Sequence, residues 1–155
     1  MGRIELPNTQ PTEKRRLLPT GDLDVFKIWD TIQGEGPMAG VPSVFVRLAG
    51  CNLQCPGCDT DYTSQRKWYN PLQLLEAVEV CASNRNEGKC ASIILTGGEP
   101  FRQNFLPFAM MAVRRGHMVH IESNGTLSNP DLFHTEVFQA FETGAIAIVC
   151  SPKTE

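Results

Sequence analysis

Three cysteines in the run Gly50-Cys51-Asn52-Leu53-Gln54-Cys55-Pro56-Gly57-Cys58-Asp59-Thr60 have the types and spacing best suited to chemistry in this chain. Three thiolates packed into eight residues can hold three corners of a cubane iron–sulfur cluster and leave the fourth iron without a protein ligand. Such an open iron is a place for reaction. Two other readings compete with it. A structural zinc site requires four closed ligands, yet Cys81 and Cys90 lie far downstream without a second paired motif and no histidine precedes His117. A redox dithiol fits Cys55-Pro56-Gly57-Cys58 alone but leaves Cys51 unexplained, and buried structural thiols are a further alternative.

The elements around the cysteines must position them. Residues 1 to 22 are rich in Pro, Thr and charge, include Glu13-Lys14-Arg15-Arg16 and show no periodicity, so they are expected to be a mobile extension ahead of a single domain over 23–155. From Asp24 the pattern becomes strand-like through Val25, Phe26 and Ile28 up to the Gly34-Glu35-Gly36 turn, and a second strand, Ser43 to Leu48, delivers the chain into the cysteine loop. Asn70-Pro71-Leu72-Gln73 reads as a helix start with a capping box and proline at the first helical position. Leu74, Leu75, Val78 and Cys81 follow at helical spacing, which makes Cys81 a core residue rather than a ligand.

Further along, Ala91 to Leu95 predicts a buried strand ending at Gly97-Gly98, and a helix around Phe105 to Arg115 stops at Gly116. Met118 to Ile121 is a third core strand, 130 to 142 a helix ending at Gly144, and Ala145 to Cys150 the last strand. Strands alternating with helices predict an α/β fold with a parallel βα array, each candidate string following a strand, where such folds place ligands. Gly97 and Gly98 are expected to allow close approach of the backbone to a ligand. His117, His120 and His134 carry no motif and are read as structural or surface residues.

Composition narrows the class without naming a function. The chain has 155 residues and 41% hydrophobic content, the size of one domain with one core. Its net charge of −3 gives no electrostatic footprint for nucleic acid. No apolar run is long enough to span a membrane and no signal is read at the N-terminus, so a soluble cytoplasmic protein is the expectation. Six cysteines are not read as three disulfides, because three of them sit too close together to crosslink distant elements.

Four further strings accompany the cysteines in order: Ile28-Trp29-Asp30-Thr31-Ile32-Gln33-Gly34-Glu35-Gly36, Thr96-Gly97-Gly98-Glu99-Pro100, Glu122-Ser123-Asn124-Gly125-Thr126 and Ser151-Pro152-Lys153. Together with Gly40 to Gly50, which leads into the first cysteine, they resemble the 7-carboxy-7-deazaguanine synthase family of the radical S-adenosylmethionine (SAM) superfamily. The resemblance runs from about residue 25 to 153 and implies a partial (βα) radical-SAM-type barrel, incomplete at the C-terminus. It implies a [4Fe-4S] cluster on Cys51, Cys55 and Cys58 whose open iron chelates SAM and, once reduced, generates a 5'-deoxyadenosyl radical. Gly57, Asp59, Gly98, Ser123, Ser151, Pro152 and Lys153 correspond to further cofactor contacts, although Gly57 stands where the superfamily usually has an aromatic residue. Ile32, Gln33, Gly34, Arg47 and Thr96 correspond to substrate contacts, and Thr60 to a ligand for Mg2+. No protein side chain is assigned a catalytic role beyond binding. The implied reaction converts 6-carboxy-5,6,7,8-tetrahydropterin into 7-carboxy-7-deazaguanine for queuosine-type deazapurines, in a homodimer served by an electron donor such as flavodoxin. A glycyl-radical activating enzyme and a non-catalytic iron–sulfur protein are the alternatives.

Overall fold

The computed structural model describes residues 7–86 and 92–153. Cys90, the Ala91 start of the expected strand and residues 1–6 of the expected extension lie outside the described residues. Along the chain come strands β1 (Leu23–Ile32), β2 (Pro42–Leu48) and β3 (Lys67–Tyr69), helix α1 (Pro71–Asn86), β4 (Ser92–Gly97), α2 (Leu106–Arg114), β5 (Met118–Ser123), α3 (Thr135–Glu142) and β6 (Ile146–Cys150). The strands make one open six-stranded sheet in the order β3-β1-β2-β4-β5-β6. β2, β4, β5 and β6 are parallel, as the alternation of strands and helices predicts.

Local chemistry sets the helix ends. The Asn70 side chain accepts the Gln73 N–H at 2.9 Å while the Gln73 side chain accepts the Asn70 N–H at 3.2 Å, the reciprocal capping box expected ahead of α1. Gly116 and Gly144 follow α2 and α3 in the left-handed region. The helix expected over 130–142 is two pieces: a 3-10 turn over Pro130–Phe133, capped by the Asn129 side chain, then α3 after an extended His134.

Alternate residues of the sheet face opposite ways. Val44, Val46, Ile93, Leu95, Val119 and Ile121 face the helices and pack with Leu74, Leu75, Val78, Phe105, Phe108 and Ala112 in one core; Cys81 packs against its edge, as its helical spacing predicts. The other face carries Phe45, Arg47, Ile94, Thr96, His120 and Glu122 at matching register positions. On it Trp29 stacks on Phe45 at 5.2 Å between ring centres, and Ile94 and His120 are buried.

Two features differ from the sequence-based expectation. β1 runs antiparallel to both β2 and β3, and β3 itself was not expected. The segment expected to be a mobile extension is, over the described part, bonded to the body: the Glu13 N–H donates to the Cys51 carbonyl at 2.6 Å and the Arg16 N–H to the Arg102 carbonyl at 2.7 Å. Backbone and polar side-chain bonds, not apolar burial, hold this segment, which is why hydropathy does not reveal it.

Candidate functional site

The ends of the parallel strands supply the site. β2 runs into the cysteine loop, β4 into Gly97-Gly98-Glu99, β5 into Ser123-Asn124 and β6 into Ser151. The four ends are laced together: the Ser151 N–H donates to the Ser123 carbonyl at 2.8 Å and the Glu99 N–H to the Gly50 carbonyl at 3.1 Å. Asn124 Nδ2 donates to Asn52 Oδ1 at 3.1 Å, and Asn52 Nδ2 to Thr126 Oγ1 at 2.8 Å. Strings far apart in sequence thus meet as one polar framework under the cysteines.

Gly98 sits where two loops touch. A Cβ there would lie 2.8 Å from Cys51 Cβ and closer still to the Gly50 carbonyl, and one on Gly97 would strike the Leu48 backbone. Gly98 thus allows close approach to the cysteine loop and Gly97 close approach to the end of β2, while both also line the cavity that the three cysteines share. Gly98→Ala is expected to push Cys51 off β4 at a cost of roughly 1–3 kcal/mol, as in other overpacked sites. Gly34→Ala, with open space around it and no left-handed backbone, serves as the control. Thermal melting and iron content check this; a Gly98→Ala protein that melts with the parent and loads fully would show that no such contact constrains the loop.

Cys51, Cys55 and Cys58 line one cavity of about 530 Å³ together with Gly57, Asp59, Thr60, Thr96, Gly98, Ser123, Ser151 and Lys153. Among the expected cofactor contacts only Pro152 is off its wall. Of the expected substrate contacts only Thr96 is on it; Ile32 and Gly34 are exposed, while Gln33 is buried. Gln33 Nε2 donates to Glu122 Oε1 at 2.9 Å and its Oε1 accepts the Gly34 and Glu35 N–H groups. Because β1 is antiparallel, this string starts at the far end of the sheet from Glu122, and the loop folds back across the sheet face so that Gly36 reaches Val149 and Glu35 reaches the cavity. Arg47 lies on the same face with its guanidinium 5.1 Å over the Trp29 ring and its Nε buried, without a hydrogen-bond partner among the described residues. It is not the surface charge that a strand-end arginine would otherwise be.

The three thiols share one cavity wall, although among the described residues no group of three or more histidine, cysteine or carboxylate side chains stands in the geometry of a metal-ion site. All three are free, with Cys51 buried, Cys55 half-buried and Cys58 exposed. Cys51 Sγ accepts the Leu53 N–H at 3.4 Å and the Asn124 amide at 4.0 Å, donors that suit a sulfur carrying negative charge. Burial pushes the Cys51 thiol up, and Glu99, Cys55 and Cys58 push the same way against the Leu53 N–H. A bound cation would stabilise the Cys51 thiolate that burial and its neighbours disfavour. No histidine and no fourth cysteine lines the cavity among the described residues, so the nitrogen or sulfur ligand that would close a structural zinc site is not at hand.

Several residues of this site were not assigned from sequence. Glu99 is fully buried and accepts from the Phe101 N–H, the Ser123 hydroxyl and the Asn124 N–H at 2.9, 3.0 and 2.7 Å. Burial raises its carboxyl and these donors partly offset that. Tyr62, fully buried, closes the loop by accepting the Gly50 N–H on its carbonyl at 2.9 Å. Arg102, also buried, donates to the Ala49 carbonyl at 2.9 Å and occupies the space that a Gly50 side chain would need. Glu99 and Asn124 sit inside strings that the sequence reading singled out; nothing marks Arg102.

Comparison with known proteins agrees with this arrangement. The model of the radical SAM superfamily matches residues 45–148. A 7-carboxy-7-deazaguanine synthase from Rhodospirillum rubrum is 48% identical over 130 residues, covering 84% of this chain and 50% of that protein. One from Aquifex aeolicus is 40% identical over 131 residues, 82% of this chain and 53% of that protein. The chain thus spans about half the length of these curated relatives. The crystal structure of QueE from Escherichia coli superposes with a TM-score of 0.67 at 23% identity, over 86% of this chain and 61% of that one, a likeness of fold. These relatives favour neither a glycyl-radical activating enzyme nor a non-catalytic iron–sulfur protein.

Proposed function

Since the chain belongs to the radical SAM superfamily, a family that implies a [4Fe-4S] cluster and SAM, we propose that it takes part in the 7-carboxy-7-deazaguanine synthase reaction, the contraction of 6-carboxy-5,6,7,8-tetrahydropterin with loss of ammonia. The observation that carries this reading is the convergence of Cys51, Cys55 and Cys58 with the ends of β4, β5 and β6 around one cavity. Cys51, Cys55 and Cys58 would hold a cluster whose chemistry there would be reductive cleavage of SAM, while placement and exclusion fall to the protein. Gly98, Ser123, Ser151 and Lys153 would face SAM, with Lys153 Nζ oriented by the Ser151 hydroxyl at 3.1 Å. Gly57 leaves the loop tip open, with nothing within 4 Å of where a side chain would start.

Arg47 supports a carboxylated substrate, because a guanidinium with a buried, unpartnered Nε is completed by a carboxylate. Gln33, bonded to Glu122, would act by fixing the loop that carries Gly34 and Ile32 over the sheet face. Thr60, whose hydroxyl donates to Asp59 at 3.4 Å, offers a hard oxygen for Mg2+ beside the thiols. A homodimer, a flavodoxin-type electron donor and a cytoplasmic setting belong to the same proposal. Among the described residues no helix is long and apolar enough to cross a membrane.

The test is anaerobic reconstitution of the 155-residue chain, then incubation with SAM, the carboxypterin, Mg2+ and a reductant. The expected result is 7-carboxy-7-deazaguanine, by mass spectrometry, formed only when SAM is present. A loaded protein that cleaves SAM yet leaves the pterin untouched would overturn the substrate assignment.

A further inference from the structure

We propose that residues 8–16 form a strap that holds the cysteine loop in its ligating shape, with Gln10 as its positioning residue; this rests on the reading of Cys51, Cys55 and Cys58 as cluster ligands.

The loop makes few bonds of its own. Between Cys51 and Tyr62 it has no helix or strand, and its internal backbone bonding is a 3.3 Å contact from the Cys58 N–H to the Cys55 carbonyl. Such a segment should be floppy. The strap supplies what is missing. Gln10 Nε2 donates to the Thr60 carbonyl at 2.7 Å, while Gln10 Oε1 accepts the Tyr62 N–H at 2.9 Å, so one side-chain amide satisfies both polar groups as a neighbouring strand would. From the other side Gln54 Nε2 donates to the Gln10 carbonyl at 2.9 Å. Asn8 adds a turn bond to the Gln10 N–H at 3.0 Å.

At the loop's entrance Thr12 pairs with Cys51, and the Glu13 N–H donates to the Cys51 carbonyl. The strap is anchored on charge: the half-buried Glu13 carboxylate spans the exposed Arg66 at 2.7 Å and the buried Arg102 at 3.2 Å, and Arg102 donates in turn to the Lys14 and Ala49 carbonyls. The strap therefore grips the loop on both flanks of the three cysteines. It fixes the separation of Cys51 from Cys58 before any metal arrives, so less chain entropy is lost on loading.

Gln10→Ala tests this without metal and with it. In cluster-free protein the Tyr62 amide should exchange with deuterium about tenfold faster or more, the scale of a lost bond or two, while Ile94 and Leu95 amides stay as protected as in the parent. In reconstituted protein, iron loss to a chelator, followed by the fading of the cluster's visible absorbance, should accelerate by a similar factor. Gln54→Ala, at the loop surface, should show the same changes to a smaller degree and gives a second reading should Gln10→Ala fold poorly. Unchanged Tyr62 exchange would overturn the strap, and so would acceleration spread equally over the core strands. A parent that takes up no iron would instead sink the cluster reading, and the Tyr62 exchange would still decide on the strap.

Discussion

Alanine at Cys51, Cys55 or Cys58 is expected to reduce iron and sulfide incorporation from about four of each to near zero, because a cubane held by three thiolates does not survive on two. Cys81→Ala and Cys150→Ala should load like the parent. Cys81 packs against the core from α1, and Cys150, although exposed, stands at the end of β6 outside the cavity wall. Cys90, distant in sequence from the triplet, is expected to behave like them. Iron and sulfide analysis with visible spectra decides the matter. Six variants that behave alike, or zinc retained in place of iron, would overturn the assignment of the loop. The three ligand variants should also separate in stability: Cys51 is buried against Gly98 and leaves a hole, whereas Cys58 is exposed and leaves none.

How far the sequence carried depended on whether a feature is written in local pattern. The capping box at Asn70 and Gln73 and the buried face of α1 are local, and both are found where spacing puts them. The parallel strands β2, β4, β5 and β6 follow from alternation with helices. Strand direction has no local signature, so β1 was read without its antiparallel sense, and Lys67–Tyr69 is too short to show a period. The antiparallel turn also explains why Ile32, Gln33 and Gly34 belong to a loop over the sheet face and only Glu35 of that loop reaches the cavity. Within the site, cysteine spacing was legible because metal chemistry imposes it. The strap at Gln10 and the brace at Arg102 were not, because side-chain bonds to a backbone can be made by many polar residues from many positions. The contact surface of Gly98 likewise lies on a loop 48 residues earlier, 98 minus 50.

Glu99→Ala should be the most damaging single change to stability. It strips the acceptor from three donors at once, the Phe101 N–H, the Ser123 hydroxyl and the Asn124 N–H, at a position with no exposed surface. Each buried donor left unsatisfied costs roughly 1–3 kcal/mol, so a loss of about 3–9 kcal/mol is expected for the three. At about 2–4 °C per kcal/mol for a chain of this size, the melting temperature should fall by roughly 6 °C or more. Glu99→Gln should fall between alanine and the parent. Its oxygen can replace Oε1 and still accept from Phe101 and Ser123, but its NH2 would then face the Asn124 N–H, donor against donor, where 2.7 Å now separates donor from acceptor. Asn124 must shift, and with it go its contacts to Cys51 Sγ and Asn52. Faster iron loss should therefore accompany the glutamine variant even where its melting temperature is only moderately lowered. A glutamine variant as stable as the parent and equally slow to lose iron would show that Glu99 does not brace the cysteine loop through Asn124.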